Sequence, residues 1–347
     1  YTLGPDLDPF LYLRIAHEII DTGSQPSVDS MRYLGMAEPY QNFLQWGIVY
    51  LYKGLNVFLN DISLEYAAII FPVIFFGLSI IIFFFFIREL FHSKTEFQRN
   101  LIAILASAVY AVIPLMQHRT TAGIPELESA GLFFFWLSFF FFLKAWHKGE
   151  SSKVKSSYLF ALASGISTAF MIYTWGGFRF ILYSLALATL IAFFIGKISK
   201  KETIIYSLWF IPSFLFLGIK SGFKVAALDV TYATIPLFVF FVLLLNAFFG
   251  EWLERKAKML IKKEWLTKEL TSFIVVILLG LVLLIVVQPN LLLGILSELK
   301  ERLLYPFGRA RIGLTVAENQ QLYLTEVFSS FGKSFFWMFF FGLILIF

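Results

Sequence analysis

Nine long apolar stretches dominate this sequence and restrict the folds that are open to it. They lie at residues 64–87, 100–117, 129–146, 157–173, 178–196, 203–219, 230–250, 271–289 and 332–347. A helix needs about 20 mostly apolar residues to cross a bilayer, and helices satisfy all of their backbone hydrogen bonds internally. The sequence therefore predicts an all-α polytopic membrane protein with about nine transmembrane helices.

The composition agrees with this prediction and limits the chemistry. Of the 347 residues, 59% are hydrophobic and only 15% are charged, whereas soluble domains have roughly 45–50% apolar and about 25% charged residues. The chain has no Cys, which excludes disulfides, thiolate metal sites and cysteine nucleophiles. Carboxylate, His or carbonyl groups must then hold any bound metal, and such groups favour hard cations.

The spacing of the apolar stretches predicts the domain organisation. Residues 1–63 are interrupted by Gly and Pro and predict a large first loop with interfacial helices. Residues 64–289 predict transmembrane helices joined by short loops, with an amphipathic helix on the cytoplasmic lipid surface at 251–270. Residues 290–331 predict a second large loop, and 332–347 predict the start of a further transmembrane helix.

Basic residues are divided unequally between the two sides of the membrane. The loops that follow the first, third, fifth and seventh apolar stretches, counted with Lys144 near the end of the third stretch, hold 16 Lys and Arg against 8 Asp and Glu. The remaining segments hold 12 against 15. Lys and Arg accumulate in cytoplasmic loops, so both large loops are predicted to face the exterior or a lumen. This topology already explains the net charge of +5, so nucleic acid is not an expected partner.

Acidic residues stand at three of the predicted external positions. Asp6 and Asp8 lie in the first loop, Glu126 and Glu128 precede the third apolar stretch, and Glu318 lies in the second large loop. Each acid alone has a structural explanation, as a helix cap or as solvated surface. Together they could converge on one Mg²⁺ or Mn²⁺ ion, and such ions commonly also bind a phosphorylated substrate. A lipid phosphate is therefore the expected substrate.

Four segments, in this order, resemble motifs of the catalytic subunit of oligosaccharyltransferase, the enzyme of asparagine-linked glycosylation. Asp6-Leu-Asp8-Pro-Phe-Leu-Tyr-Leu-Arg14 resembles its first acidic motif, and Arg119-Thr-Thr-Ala-Gly with Glu126-Leu-Glu128 resembles its second. Tyr173-Thr-Trp-Gly-Gly-Phe178 is similar to its Trp-Gly-Gly turn, and Thr315-Val-Ala-Glu318-Asn-Gln is similar to its Ser/Thr-x-x-Glu motif. The resemblance implies a GT-C type glycosyltransferase membrane domain. The simple chain without Cys favours an archaeal-type single-chain form in a prokaryotic cell membrane rather than in the endoplasmic reticulum.

The resemblance also implies roles for the acidic residues. Asp8, Glu126 and Glu128 would bind Mn²⁺ or Mg²⁺, and Asp8 and Glu318 would act on the acceptor amide. Asp6 would contact the residues that bind the metal rather than the metal itself. Glu126 departs from the family, which usually has Asp there, and this lengthens its reach to the metal.

Three arginines are implied at the phosphate groups of the donor. Arg119, next to the metal ligands, is one candidate to bind phosphate. Arg309 and Arg311, in the second large loop, are the others. The donor would be an oligosaccharide on a polyprenyl (dolichyl) phosphate or diphosphate within the membrane lipid, and the acceptor a polypeptide with Asn-x-Ser/Thr. The family's Trp-Trp-Asp-Tyr-Gly motif is absent here. We expect it in a C-terminal domain of a longer protein, because the chain starts at Tyr1 rather than Met and ends in an apolar run.

Two other functions stay open at this point. Another polyprenyl-phosphate-sugar-dependent glycosyltransferase, such as a protein O-mannosyltransferase, would also have acids in its first external loop, although the motif at 315–320 disfavours it. A non-enzymatic membrane transporter would need ionisable residues along its transmembrane helices, and the apolar stretches contain few of them.

Overall fold

Helices account for all the regular structure that the computed structural model describes, which covers residues 3–4, 8–25, 31, 43–59, 61–149, 154–229, 231–263, 265–287, 294, 297, 300–301, 304 and 323–346. The helices are α1 (Asp8–Thr22), α2 (Phe43–Phe58), α3 (Leu64–Leu90), α4 (Glu96–Val112), α5 (Pro114–His118), α6 (Leu127–Gly149), α7 (Val154–Thr174), α8 (Phe178–Phe194), α9 (Lys200–Ser221), α10 (Phe223–Leu228), α11 (Thr234–Ile261), α12 (Lys268–Val287), α13 (Leu324–Phe331) and α14 (Lys333–Ile346). The all-α prediction is confirmed.

Each of the nine predicted apolar stretches coincides with a helix or helices within the described residues. Five helices there are long and apolar enough to cross a membrane, namely α3, α6, α7, α9 and α11, and α8 is a shorter apolar helix. Large apolar side chains such as Phe180 and Ile219 are about two-thirds exposed. An apolar surface of this kind suits lipid rather than water.

The predicted stretch 100–117 is two helices rather than one. α4 ends at Val112, and Pro114 is the first residue of α5. Proline lacks an N–H and disfavours a helical conformation in the residue before it. Ile113 is accordingly extended, with φ −63° and ψ 123°. Counting apolar residues missed this break, although Pro114 signals it.

The predicted amphipathic helix at 251–270 is not a separate element. α11 continues without interruption to Ile261, and Lys262, with a φ of 55°, follows its end. Residues 251–261 contain neither Gly nor Pro, so the helix that begins in the apolar stretch is not stopped there. The last residues of the predicted segment, from Lys268, belong to α12.

The chain forms two compact units. One consists of Tyr1–Leu185 with Ile204–Ala233, and the other consists of Ala186–Thr203 with Thr234–Phe347. In the first unit, α1, α2, α3 and α6 share one buried core, made of Tyr12, Ile15, Ala16, Ile19, Leu44, Ile48, Val49, Leu64, Ala68, Phe71 and Ala130. The helices of the first segment therefore pack into the core of the first unit. Their interfacial position stays a prediction.

Small and polar residues let α6, α7 and α9 pack closely in the first unit. The hydroxyl oxygens of Ser138 and Thr168 lie 2.7 Å apart, and the Ser164 hydroxyl donates to the carbonyl oxygen of Ser138 at 2.7 Å. The indole N–H of Trp209 donates to the Thr168 hydroxyl at 3.0 Å. A Cβ on Gly165 would lie 2.5 Å from the carbonyl oxygen of Trp209. Small residues and interhelical hydroxyl bonds hold helices together in lipid.

The second unit is held in part by the pairing of α11 with α12. The Ser272 hydroxyl donates to Oδ1 of Asn246 at 3.3 Å. A Cβ on Gly250 would lie 2.8 Å from Oδ1 of Asn246, so Gly250 leaves room for the Asn246 side chain that accepts from Ser272. Phe273 of α12 packs with its ring centroid 5.3 Å from that of Phe238.

Candidate functional site

The first acidic segment is joined to the loop that precedes the second acidic pair. The N–H of Gly4 donates to the carbonyl oxygen of Gly123 at 2.8 Å, and the N–H of Gly123 donates to the carbonyl oxygen of Ile69 in α3 at 3.0 Å. Gly123 has a φ of 84°, which L-residues rarely adopt. A Cβ on Gly4 would lie 2.7 Å from Cγ1 of Ile124. Two glycines thus allow this contact between segments that are about 120 residues apart.

The helices that carry the acids also share a core. α1 begins at Asp8, which is exposed. Its buried face joins the core that includes Ala130 of α6, two residues after Glu128, and Leu127 packs against the same core. Tertiary packing therefore places both acidic motifs on elements of one compact body.

Glu126 is the most buried of the predicted metal ligands, because only 4% of it is exposed. Nη1 of Arg119 lies 3.9 Å from Oε1 of Glu126, and the Arg119 side chain is about one-third exposed. The Ser129 hydroxyl donates to the Glu126 carbonyl oxygen at 2.7 Å. A buried carboxylate is costly unless a cation or hydrogen bonds compensate its charge. Arg119 is placed to provide that compensation.

The Trp-Gly-Gly turn packs against the beginning of α6. A Cβ on Gly131 would lie 3.0 Å from Cβ of Trp175, and a Cβ on Gly177 would lie 2.4 Å from the Trp175 ring. The N–H of Trp175 donates to the carbonyl oxygen of Met171 at the end of α7. Because Gly131 is three residues after Glu128, this turn lies beside the helix start that carries the second acidic pair.

Two cations at this turn were missed by the sequence analysis. The Arg179 guanidinium lies 5.1 Å from the centroid of the Tyr232 ring, and its Nε is buried without a hydrogen-bond partner among the described residues. The Lys220 ammonium donates to the carbonyl oxygen of Ile172 at 2.6 Å and lies 5.4 Å from the Tyr173 ring centroid. Their positions in the sequence could have indicated them. Arg179 follows the Trp-Gly-Gly-Phe motif, and Lys220 comes directly after the apolar stretch 203–219.

Asp6, Glu318, Arg309 and Arg311 lie outside the described residues. Within the part of the chain that the structure describes, no three His, Cys, Asp or Glu side chains are grouped closely enough to hold a metal ion. The shared metal site of Asp8, Glu126 and Glu128 stays a prediction. The donor set itself fits a hard divalent cation, because carboxylate oxygens are the ligands that Mg²⁺ and Mn²⁺ prefer.

Comparison with known proteins identifies the family. The family model described as "Oligosaccharyl transferase STT3, N-terminal" matches residues 5–347. Subunit STT3B of the dolichyl-diphosphooligosaccharide–protein glycosyltransferase of Oryza sativa subsp. japonica is 28% identical over 160 residues, which are 44% of this chain and 20% of that protein. The chain thus aligns with about a fifth of this relative's length.

Solved structures of an archaeal protein share the fold. The oligosaccharyltransferase AglB from Archaeoglobus fulgidus, in complex with an inhibitory peptide and a dolichol-phosphate, is 19% identical with a TM-score of 0.68, over 96% of this chain and 40% of that one. The Archaeoglobus fulgidus enzyme in complex with Zn and sulfate has 18% identity and a TM-score of 0.60, over 83% of this chain and 37% of that one. The same enzyme, tethered with an acceptor peptide containing the NVT sequon, has 18% identity and a TM-score of 0.66, over 99% of this chain and 39% of that one.

At these identities the structural likeness shows the fold, which is the GT-C type membrane domain predicted from the sequence. The match to the family model, by contrast, runs over nearly the whole chain. The chain therefore belongs to the STT3 oligosaccharyl transferase family.

Proposed function

We propose that this chain is the membrane part of a metal-dependent oligosaccharyltransferase. The enzyme would transfer an oligosaccharide from a polyprenyl (dolichyl) phosphate or diphosphate carrier to the Asn side chain of Asn-x-Ser/Thr. The observation that carries the proposal is the 2.8 Å hydrogen bond from Gly4 to Gly123, which joins the two acidic segments. Membership of the STT3 family supports it, as do the dolichol-phosphate and the acceptor peptide bound to the archaeal enzyme of the same fold.

The reaction sets two demands on the site. The amide nitrogen attacks the anomeric carbon, the bond from that carbon to the carrier phosphate oxygen breaks, and the phosphate leaves with the electron pair while the nitrogen loses a proton. An amide nitrogen is a poor nucleophile, so it must be held in an attacking geometry. Asp8, exposed at the start of α1, accepts a hydrogen bond from the amide N–H and orients it. Glu318, from the second large loop, would also act on the acceptor amide.

The second demand is to stabilise negative charge on the departing phosphate oxygen. Asp8, Glu126 and Glu128 would hold Mn²⁺ or Mg²⁺, and a divalent cation bound there supplies that stabilisation. Arg119 would orient the buried Glu126 carboxylate and offset its charge through their ion pair. Asp6 would support the ligands. The Zn in one structure of the archaeal enzyme supports a divalent-cation site in this fold.

Basic side chains would hold the carrier phosphates. Arg309 and Arg311 are candidates in the second large loop, because a planar guanidinium matches phosphate oxygens. We place the site on the external or lumenal face, opposite the loops with the excess of Lys and Arg. A prokaryotic cell membrane is the proposed location, because the chain is simple and has no Cys.

A transfer assay with the full-length enzyme tests this function. Wild-type enzyme, labelled lipid-linked oligosaccharide and an Asn-x-Thr peptide should yield glycopeptide. Asp8→Asn should lower the rate at least a hundredfold, because it removes a metal ligand and the amide's partner at once. Asp21→Asn is the matched control, since Asp21 is an exposed acid at the other end of the same helix, and it should keep the wild-type rate.

Other outcomes of the same assay would contradict the proposal. Sugar attached to Ser or Thr of a peptide without Asn would indicate an O-glycosyltransferase. Movement of the labelled lipid between leaflets without any transfer would indicate a transporter. Equal rates for Asp8→Asn and Asp21→Asn would remove Asp8 from the site.

A further inference from the structure

The second unit contains a polar pocket that the proposed function does not use. It lies between the beginning of α9, the C-terminal half of α11 and the beginning of α12, and its volume is about 270 Å³. Its polar lining includes Ser199, Lys200, Thr203, Asn246, Arg255 and Lys268. A cavity of this size holds a group of several heavy atoms rather than a single water molecule.

The charge of the lining favours an anion. Lys200, Arg255 and Lys268 are opposed in the lining by one carboxylate, that of Glu251, which leaves an excess of two positive charges. Nε of Arg255 donates to the backbone carbonyl oxygen of Glu251 at 3.2 Å, which fixes the guanidinium beside the pocket. Nζ of Lys268 lies 3.9 Å from Oε1 of Glu269 and its side chain is 43% exposed, so that this long contact leaves the ammonium accessible.

Uncharged polar groups complete the pocket. The Thr203 hydroxyl donates to the Ser199 carbonyl oxygen at 3.0 Å, and the N–H of Lys201 donates to the Ser199 hydroxyl at 3.2 Å. The N–H and the hydroxyl of Ser199 also donate to the Glu202 carboxylate, and together these bonds fix the first turn of α9. On the opposite wall, Asn246 is held by its hydrogen bond with Ser272. The pocket therefore has the chemistry of a phosphate site: two kinds of cation, with neutral groups on ordered helices.

The position of the pocket favours a membrane lipid as the source of the phosphate. α11 is apolar enough to cross a bilayer, and the pocket lies along its more polar C-terminal half. Phe248 and Trp252 line the pocket and are 72% and 53% exposed, and the neighbouring Phe249 is 56% exposed. Trp residues concentrate at the headgroup level of membranes, and basic pockets between helices on the cytoplasmic side bind anionic headgroups.

We propose that this pocket binds the phosphate headgroup of an anionic glycerophospholipid of the cytoplasmic leaflet. The phosphate lies among Lys200, Arg255 and Lys268, and the acyl chains run along the exposed face of α11 past Phe248. The bound lipid ties the beginning of α9 to α11 and α12. This site is separate from the acidic motifs, so its occupancy does not depend on the proposed transfer reaction.

Lipid binding to the purified full-length protein tests the proposal. Native mass spectrometry in detergent would compare phosphatidylglycerol, which is anionic, with phosphatidylcholine, which is zwitterionic. The wild type should bind one phosphatidylglycerol more tightly than it binds phosphatidylcholine. Arg255→Gln with Lys268→Gln should weaken that binding about thirtyfold, from the contribution of two basic residues at a membrane surface.

A second pair of substitutions separates a built site from general attraction. Lys256→Gln with Lys263→Gln removes the same charge from exposed positions of the same segment that do not line the pocket. This control should change the affinity less than threefold. An equal loss in both double variants, or no loss in the pocket variant, would overturn the proposal.

Two further comparisons complete the test. If the double variant fails to fold, the single variants Arg255→Lys and Arg255→Gln replace it. Arg255→Lys keeps the charge, so it should retain more affinity than Arg255→Gln. Inorganic phosphate should bind far more weakly than phosphatidylglycerol, because it lacks the acyl chains. Equal affinity for inorganic phosphate would show that a lipid is not the occupant.

Discussion

Gly123→Ala is the most informative single substitution, because one residue holds three segments together. Its carbonyl oxygen accepts from Gly4, its N–H donates to Ile69 of α3, and it lies three residues before the buried Glu126. Its φ is 84°. A side chain at this φ places its Cβ too close to the backbone, so alanine must either carry the strain or move the loop.

Both outcomes cost a similar free energy. Keeping the native φ costs an alanine about 1–2 kcal/mol. Relaxing the loop breaks the two hydrogen bonds of 2.8 and 3.0 Å, each of which stabilises the fold by about 0.5–1.5 kcal/mol. We therefore expect the free energy of unfolding to fall by about 1–2 kcal/mol. Relaxation also shifts Glu126 relative to Asp8, and misplacement by about 1 Å can lower a rate a hundredfold.

The assay is peptide glycosylation by the full-length enzyme, expressed per folded molecule from thermal unfolding at the same temperature. Gly123→Ala should lower the rate at least tenfold. Gly196→Ala is the control, since Gly196 has a φ of 72°, lies at the end of α8 and has no atom within 4 Å of an added Cβ. It should lose similar stability and keep its rate. If both variants transfer at the wild-type rate per folded molecule, the contact of the two loops has no part in the reaction.

Three further predictions concern the loop acid, the metal and the helix packing. Glu318→Gln should lower transfer at least tenfold without changing the melting temperature, and an unchanged rate would remove this residue from the site. Exhaustive chelation should stop transfer and added Mn²⁺ should restore it, while Asp8→Asn should lower Mn²⁺ affinity in a titration; activity that survives chelation would contradict the metal mechanism. Gly165→Ala should destabilise the protein by about 1–3 kcal/mol, because its Cβ would lie 2.5 Å from the Trp209 carbonyl oxygen. Gly77→Ala, whose Cβ would contact nothing within 4 Å, should cost no stability in the same unfolding assay.

Much of the helical architecture could be predicted from the sequence, because a membrane helix is specified locally. Apolar length alone located a helix at each of the nine stretches. Two errors came from ignoring local signals that show where a helix ends or continues. Pro114 ends a helix inside an apolar run, and the absence of Gly and Pro between 251 and 261 lets α11 continue into a charged segment.

The sequence by itself determined the all-α membrane class, the acidic motifs and the family, because apolar length and motif spacing are written along the chain. It did not determine which remote groups meet. The hydrogen bond from Gly4 to Gly123, the burial of Glu126 beside Arg119, and the contact of Trp175 with Gly131 depend on tertiary packing. Burial depends on which helices become neighbours, and no local pattern encodes that choice. The basic residues of 255–268 are a further example. Arg255 and Lys268 line one pocket while Lys256 and Lys263 do not, and the packing of α11 with α12 decides this.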